Sequence, residues 1–467
     1  MSDSKKPNDR DGARATEAHG DDDMDRGSFL GRAGRYAKVT GTMGGLAAKL
    51  AGQKYLGRTI DKPEHARALT AALGNLKGPL LKVAQLLVTI PQALPPEYAA
   101  ELQQLQADAP PMGWPFVKRR MRSELGPDWQ DYFDSFSKEA VAAASLGQVH
   151  RGLLKDGRDV ACKLQYPDME SAVKSDLGQL KMILSIFARY DRAIDTQEIY
   201  QEITDRLFEE LDYRREAKQT AMYDYMLRNE AGVHVPQVVP EVSTGRLLTA
   251  SWLEGQKILT FKDAPADVRA DIALNMFRAW YVPLCEYGII HGDPHLGNYT
   301  VREDHSLNLL DFGCVRIFPP RFVKGVVELY SALRDNDDAR AVHAYECWGF
   351  ENISKELLDV LNVWARFLYG PILDDKTRMI GELQEGGGVY GRETAEKVHG
   401  DLRRVGGVKV PREFVFMDRA ALGLGSVFLH LKAEVNWYQL FNELIDDFDA
   451  DVLAEKQKNI LEKFQLS

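Results

Sequence analysis

One stretch limits what this chain can become: Ile289-Ile290-His291-Gly292-Asp293-Pro294-His295-Leu296-Gly297-Asn298. Asn298 follows Asp293 by five residues, and thirteen further on comes Asp311-Phe312-Gly313, behind the apolar run Leu307-Asn308-Leu309-Leu310. That run reads as a short strand. Transfer of a phosphoryl group needs a carboxylate near the attacking oxygen. It also needs two oxygen ligands for the Mg²⁺ on a triphosphate, because a hard cation prefers oxygen. Asp293, Asn298 and Asp311 supply that set. Either piece alone would pass as a buried turn with incidental polar residues, whereas the pair at this spacing argues for a site.

The remaining composition narrows the field. At 467 residues there is room for two or three domains, or for one two-lobed enzyme with extensions. A 45% apolar fraction supports a large core. A net charge of −10 argues against a nucleic-acid-binding protein. The four cysteines (Cys162, Cys285, Cys314, Cys347) form no C-x-x-C pair, which fits a reducing compartment and neither a disulfide framework nor a zinc site. No run approaches the ~20 apolar residues of a membrane-spanning helix. Met1–Gly27 mixes acids and bases without an apolar core, unlike a signal or transit peptide, and reads as a disordered tail. Phe29–Lys62 is weakly amphipathic and carries Arg32, Arg35, Lys38, Lys49, Lys54 and Arg58. Two readings stand for it: a helix packed on the main body, or one lying on an anionic membrane surface.

Periodicity and turn residues supply the elements. Glu64–Leu105 is helical, and Lys82 and Gln85, three apart, share a face of it. A short helix spans Phe116–Leu125. Strands Val149–Leu154 and Asp159–Leu164 flank Lys155-Asp156-Gly157-Arg158, whose Asp-Gly signals a hairpin. Asp168–Arg189 and Thr196–Arg228 read as long helices, and Val233–Val239 and Arg246–Trp252 as strands. Helices follow at Ala266–Tyr287, Pro320–Arg334, Asp338–Trp348, Ser354–Tyr369, Arg392–Leu402, Pro411–Leu431 and Tyr438–Lys463, with a hairpin between Asn298 and Asp311.

Other pieces fall into place around the opening motif. The nucleotide-loop template Gly-x-Gly-x-x-Gly-x-Val can be laid on Ala142-Ala143-Ala144-Ser145-Leu146-Gly147-Gln148-Val149, with alanine at the first two glycine positions. Fourteen residues beyond Val149, the strand Val160-Ala161-Cys162-Lys163 fits Val-Ala-x-Lys, whose lysine contacts phosphates. An inward lysine on an apolar strand needs an anionic partner. Glu209, Asp212 and Glu216 offer one at i, i+3, i+7, with Glu210 to one side. The plainer reading is a solvated acidic face balanced by Arg206, Arg214 and Arg215.

Together these motifs resemble the UbiB family of atypical kinases, also called AarF-like or ADCK-like, over roughly Phe29 to Glu443. The carriers are the Ala-rich loop Ala142–Gly147, Lys82-Val83-Ala84-Gln85 for Lys-x-Gly-Gln, Glu210-Leu211-Asp212 for Glu-x-Asp, and the loop from His291 to Asn298. The resemblance implies an α+β, two-lobed protein-kinase-like fold with a small antiparallel sheet lobe, a helical lobe and a helical N-terminal extension. It divides the chain into a tail (1–27), an extension (28–113), a sheet lobe with a helical insertion (114–254) and a helical lobe (255–467).

The resemblance also implies roles. Lys163 contacts phosphates with Glu216 as its partner, Asp293 takes the catalytic-base position, and Asn298 and Asp311 hold metal. Residues 142–149, Trp252 and Leu253 surround the nucleotide, with Val149, Ala161 and Leu253 lining the adenine cleft and backbone from Ser251 to Leu253 bonding the base. Lys82 and Gln85 fold over the site towards Glu210 and Asp212. The cofactors implied are ATP and Mg²⁺. The activity implied is that of an ATPase or unorthodox kinase supporting ubiquinone biosynthesis at a membrane surface. Its expected partners are lipid precursors or biosynthetic enzymes, no nucleic acid is expected, and a homodimer is allowed. The expected location is a bacterial cytoplasm, with peripheral attachment to the inner membrane.

Departures qualify the match. Ala84 replaces the family glycine and Leu296 the common proline, and His-Gly-Asp stands where protein kinases have His-Arg-Asp. No Ala-Pro-Glu follows Gly313, so no peptide platform is expected. Two rivals remain: a small-molecule phosphotransferase of the aminoglycoside or choline type, and a non-catalytic nucleotide-gated scaffold.

Overall fold

The computed structural model describes residues 112–466, apart from 145, 191–195, 294, 381–397, 399–400 and 402–410. All of the described residues belong to one compact unit. Phe29–Lys62, Glu64–Leu105 with Lys82 and Gln85, and all of Arg392–Leu402 except residues 398 and 401 lie outside the described residues.

The chain enters through α1 (Trp114–Leu125), then strands β1 (Phe133–Phe136), β2 (Ala142–Ala144), β3 (Gly147–Leu154) and β4 (Asp159–Gln165). Helices α2 (Met169–Tyr190), α3 (Thr196–Leu211) and α4 (Tyr213–Leu227) follow, then β5 (Val233–His234) and β6 (Leu247–Ser251). The main sheet runs β1-β3-β4-β6, with β2 added beside β3, all antiparallel. The β3–β4 turn forms as the Asp-Gly dipeptide requires: Gly157 sits at φ +87, and its N–H donates to Leu154 O at 2.9 Å.

Strand alternation gives this sheet two different faces. His150, Val160, Cys162 and Leu164 are buried, and a core forms from Val160, Cys162 and Leu164 with Phe116, Val117 and Met121 of α1 and with Trp129 and Phe133. The residues between them, Val149, Arg151, Ala161 and Lys163, are half-buried on the other face. Register sets Val149 opposite Lys163 and Ala161 opposite Ala250.

The second lobe begins after β7 (Gln256–Lys257) and is helical. Helix α5 (Ala266–Tyr287) buries Ile272, Met276, Phe277 and Trp280 and ends at Gly288, whose φ of +66 favours glycine. Strands β8 (Ile289–His291), β9 (Tyr299–Val301), β10 (Leu307–Leu309) and β11 (Val315–Ile317) carry the opening motif. β8 pairs with β11, while β9 and β10 form the expected hairpin, with β5 parallel to β10. Around them stand α6 (Pro320–Asp335), α7 (Asp338–Trp348), α8 (Lys355–Leu373), α9 (Arg412–Leu431), α10 (Trp437–Ile445) and α11 (Ala450–Phe464).

Three sequence expectations change. The single helix over Thr196–Arg228 is two, broken at Asp212, whose carboxylate accepts from the amides of Arg214 and Arg215 and caps α4. The helix over Tyr438–Lys463 is likewise two, with Asp449 capping α11. The strand over Val233–Val239 shrinks to Val233–His234, because Pro236 and Pro240 have no N–H to give a ladder.

Candidate functional site

Lys163 is the centre of the site. It projects from the cleft face of β4, and its ammonium donates to Glu216 of α4 at 2.7 Å and to Asp311 at 3.0 Å. These three come from the sheet lobe, the helix behind it and the far lobe. Burial works against the lysine's charge, but the Asp311 and Glu216 carboxylates outweigh it and hold the ammonium well above its ordinary value. Asp311 is held well below the usual carboxylate range. Burial opposes that shift, but the Lys163 ammonium and the Gly313 N–H, which donates at 2.9 Å, prevail. Burial pushes Glu216 up to about 7 against the pull of Lys163. Glu216 reaches this place because Asp212 breaks the helix and starts α4 on a new axis. Of the four acids considered in the sequence, only Glu216 pairs with Lys163. Glu209 pairs with Arg316 at 2.9 Å, and Asp212 serves as the helix cap.

On the far side, the β8–β11 pair holds the loop from His291 to Asn298. His291 is buried among Tyr223, Trp280, Tyr299 and Phe312, and its Nε2–H donates to the Asp311 carbonyl. Its Nδ1 then accepts from the Asp293 amide at 3.4 Å. Gly292 donates to Cys314 O at 2.6 Å, and a Cβ there would meet Cys314 Sγ at 2.8 Å. That close approach favours glycine over the arginine of His-Arg-Asp, since any Cβ would have to push Cys314 Sγ aside. Asn298 Nδ2 donates to Asp293 Oδ2 at 3.1 Å and to its carbonyl at 3.2 Å, so Oδ1 is the end of the Asn298 amide that can accept or ligate. A hard oxygen from Asn298 and an ionised Asp311 carboxylate suit a divalent cation such as Mg²⁺.

Over the cleft lies a hairpin: Ala142 pairs with Val149 and Ala144 with Gly147. Ser145, at its turn, lies outside the described residues. Leu146 is buried and its carbonyl accepts from Tyr166 N at 3.0 Å. A Cβ on Gly147 would sit 2.4 Å from Leu164 O and 2.8 Å from the Tyr213 hydroxyl, so glycine is needed for close approach. Ala143 is exposed, whereas Gln148 is fully buried, its amide bonded to the Met112 backbone (2.7 and 3.1 Å) and to His150 (2.8 Å). What Gln148 can offer a nucleotide is therefore its backbone.

At the hinge, the Trp252 N–H donates to Asp159 O at 2.8 Å, and the Trp252 ring lies 4.6 Å beneath the Arg151 guanidinium. Arg151 also pairs with Asp159 and, at 2.7 Å, with Glu254. Leu253 is half-buried. Sequence reasoning missed Leu310, a large apolar side chain left 39% exposed beside Asp311. Its position directly before Asp-Phe-Gly was the available signal. It also missed Asn308, fully buried, whose Nδ2 donates at 2.9 Å to both the Glu254 carbonyl and Thr300 Oγ1, fastening the hinge to the β9–β10 hairpin. Lys82 and Gln85 lie outside the described residues. Glu210 and Asp212 sit where α3 meets α4.

Comparison with known proteins gives a consistent picture. The family described as the ABC1 atypical kinase-like domain matches residues 104–345. The mitochondrial atypical kinase COQ8B of Rattus norvegicus is 31% identical over 281 residues, covering 60% of this chain and 53% of that protein. The mitochondrial atypical kinase COQ8 of Saccharomyces cerevisiae is 30% identical, covering 58% and 55%. The chain spans about half the length of these curated relatives. A solved structure, the complex of Rv3197 with erythromycin from Mycobacterium tuberculosis, is 26% identical with a TM-score of 0.59, covering 82% of this chain and 96% of that one.

Proposed function

The chain belongs to the ABC1 atypical kinase-like family, and from that premise we propose that it binds ATP with Mg²⁺ between its lobes and transfers or hydrolyses the γ-phosphate. One observation carries the reading: the Lys163 ammonium lies between Glu216 and Asp311, at 2.7 and 3.0 Å. In this reading Lys163 holds the phosphates, and Asn298 Oδ1 with Asp311 hold the metal. Mg²⁺, when bound, offsets charge on the phosphate oxygens. Asp293, tied to the Asn298 amide, orients the attacking hydroxyl or water and accepts its proton. Val149, Ala161 and Leu310 pack the base, which bonds to hinge backbone around Leu253. The amides of residues 142–147 approach the phosphates.

The setting we infer is ubiquinone biosynthesis at a membrane surface, with lipid precursors or biosynthetic enzymes as partners, and with Lys82 and Gln85 closing over Glu210 and Asp212. The family supports it, and the absence of Ala-Pro-Glu after Gly313 argues against a peptide substrate. Among the described residues no helix is long and apolar enough to cross a membrane. In this reading the cations of residues 29–58 supply attachment to an anionic surface. A second reading is small-molecule phosphotransfer, favoured by the erythromycin bound to the Mycobacterium tuberculosis neighbour. Erythromycin-stimulated ATP turnover would support it.

The test of nucleotide binding is Mg²⁺-dependent thermal stabilisation. At a hundred times Kd, ATP should stabilise the protein by about 2.7 kcal/mol. Asp311→Asn should lose the Mg²⁺-dependent part. Equal Mg²⁺-dependent stabilisation of variant and parent would overturn the metal assignment.

A further inference from the structure

The segment carrying Asp311 is fastened a second time, away from the nucleotide cleft. Arg316, five residues beyond Asp311 on β11, pairs through Nη1 with Glu209 Oε2 at 2.9 Å, and both side chains are largely shielded, at 14% and 24% exposure. Glu209 lies in the last turn of α3, and Glu216 in the first turns of α4. Two carboxylates seven positions apart on one elbow therefore face the Asp311 segment. Glu216 shares Lys163 with Asp311, and Glu209 holds Arg316. Between these two fastenings β11 is stitched to the catalytic loop, with Val315 opposite His291 and the Gly292 amide on Cys314 O at 2.6 Å.

We propose that Arg316 and Glu209 are a positioning pair that holds Asp311 in its metal-binding pose by tying β11 to the α3–α4 elbow. The proposal rests on the nucleotide-binding reading for its consequence, though not for its geometry. The pair joins segments 107 residues apart, and both segments carry groups of the site. Losing it removes the tie between β11 and α3, while the β8–β11 ladder and both helices stay in place.

Two readouts test the pair, one of which needs no nucleotide. Cys314 lies between Asp311 and Arg316 and is only half-buried, so its alkylation rate, resolved by mass spectrometry, reports how firmly β11 is held. Glu209→Arg should raise that rate at least tenfold in nucleotide-free protein. Arg316→Glu should raise it less, because Arg215 also reaches Glu209, at 3.5 Å. The double variant Glu209→Arg/Arg316→Glu re-forms the pair with charges exchanged and should return the rate to within threefold of the parent.

The second readout is ADP affinity by calorimetry. The single variants should lose tenfold or more in the presence of Mg²⁺ and less than twofold in its absence, and the exchanged pair should recover. If a charge reversal fails to fold, Arg316→Lys and Glu209→Gln replace it, with expected losses of three- to fivefold. Unchanged Cys314 labelling, or an exchanged pair that folds but does not recover, overturns the proposal. A parent protein that binds no Mg²⁺-nucleotide would instead overturn the functional reading, and the labelling result would still decide the pair.

Discussion

Glu216 connects the energetics of the apo protein with its chemistry. Its carboxyl ionises near 4.5 in an unfolded chain and near 7 in the fold, where burial disfavours the charge. Between those values the folded state holds a proton that the unfolded state has released. The stability this group contributes is therefore fully present below pH 4.5 and is lost as pH rises through 7. Glu216→Gln cannot ionise and has no such slope. In chemical denaturation of nucleotide-free protein, the stability of the parent relative to the variant should fall steadily from pH 4.5 to pH 7. A flat difference would mean that Glu216 stays ionised throughout. Gly147 makes a second prediction at this scale. An alanine Cβ there would meet the Leu164 backbone oxygen at 2.4 Å, which no rotamer change relieves. Gly147→Ala should cost about 1–3 kcal/mol, as other overpacked sites do, and should weaken nucleotide binding by shifting the hairpin. Asp293, Asn298 and Asp311 stood out in the sequence as candidates by their short spacings and Lys163 by its Val-Ala-x-Lys strand, and the fold brings Lys163 to Asp311. Arg316 did not stand out, because its partner lies 107 residues away, and only the fold brings the two together.

At the scale of elements, the decisive feature is the break between α3 and α4. Thr196–Arg228 contains no proline or glycine, and its charge pattern suits one continuous helix. The break comes from Asp212, which competes with the helix for the Arg214 and Arg215 amides, at 3.1 Å each. A capping aspartate inside an amphipathic run looks like any other surface acid until tertiary packing favours the bend. The β3–β4 hairpin was readable for the opposite reason: Asp156-Gly157 permits the left-handed turn that few other pairs allow. Asp212→Ala should cost about 1 kcal/mol, the usual value of an N-cap. It should also reduce nucleotide affinity, because α4 carries Glu216. Urea denaturation and calorimetry separate the two effects. Lost stability with unchanged affinity would show that the elbow holds its angle without the cap.

Among the described residues the two largest hydrophobic cores are separate, one around Trp129, Phe133 and Leu164 and the other around Phe277, Tyr330 and Trp437. The resemblance implied two lobes, but not how they are fastened. Asn308, read only as part of a strand, holds the hinge from the far lobe, and Lys163 reaches Asp311 across the cleft. Because the two cores are separate clusters, the lobes should open at different denaturant concentrations. The chain carries a probe in each. Cys162 is fully buried in the sheet lobe and Cys285 is buried on α5, and burial pushes both thiols up to about 12, so neither reacts while its lobe is closed. In a urea series read by alkylation, Cys162 should become reactive first, because the sheet-lobe core is the smaller. Mg²⁺-ATP bridges the lobes through Lys163 and Asp311 and should move the Cys162 midpoint up towards that of Cys285. In Lys163→Met the nucleotide should leave the Cys162 midpoint where it was. Coincident midpoints without nucleotide would mean that the hinge and the Lys163–Asp311 pair already couple the lobes into one cooperative unit.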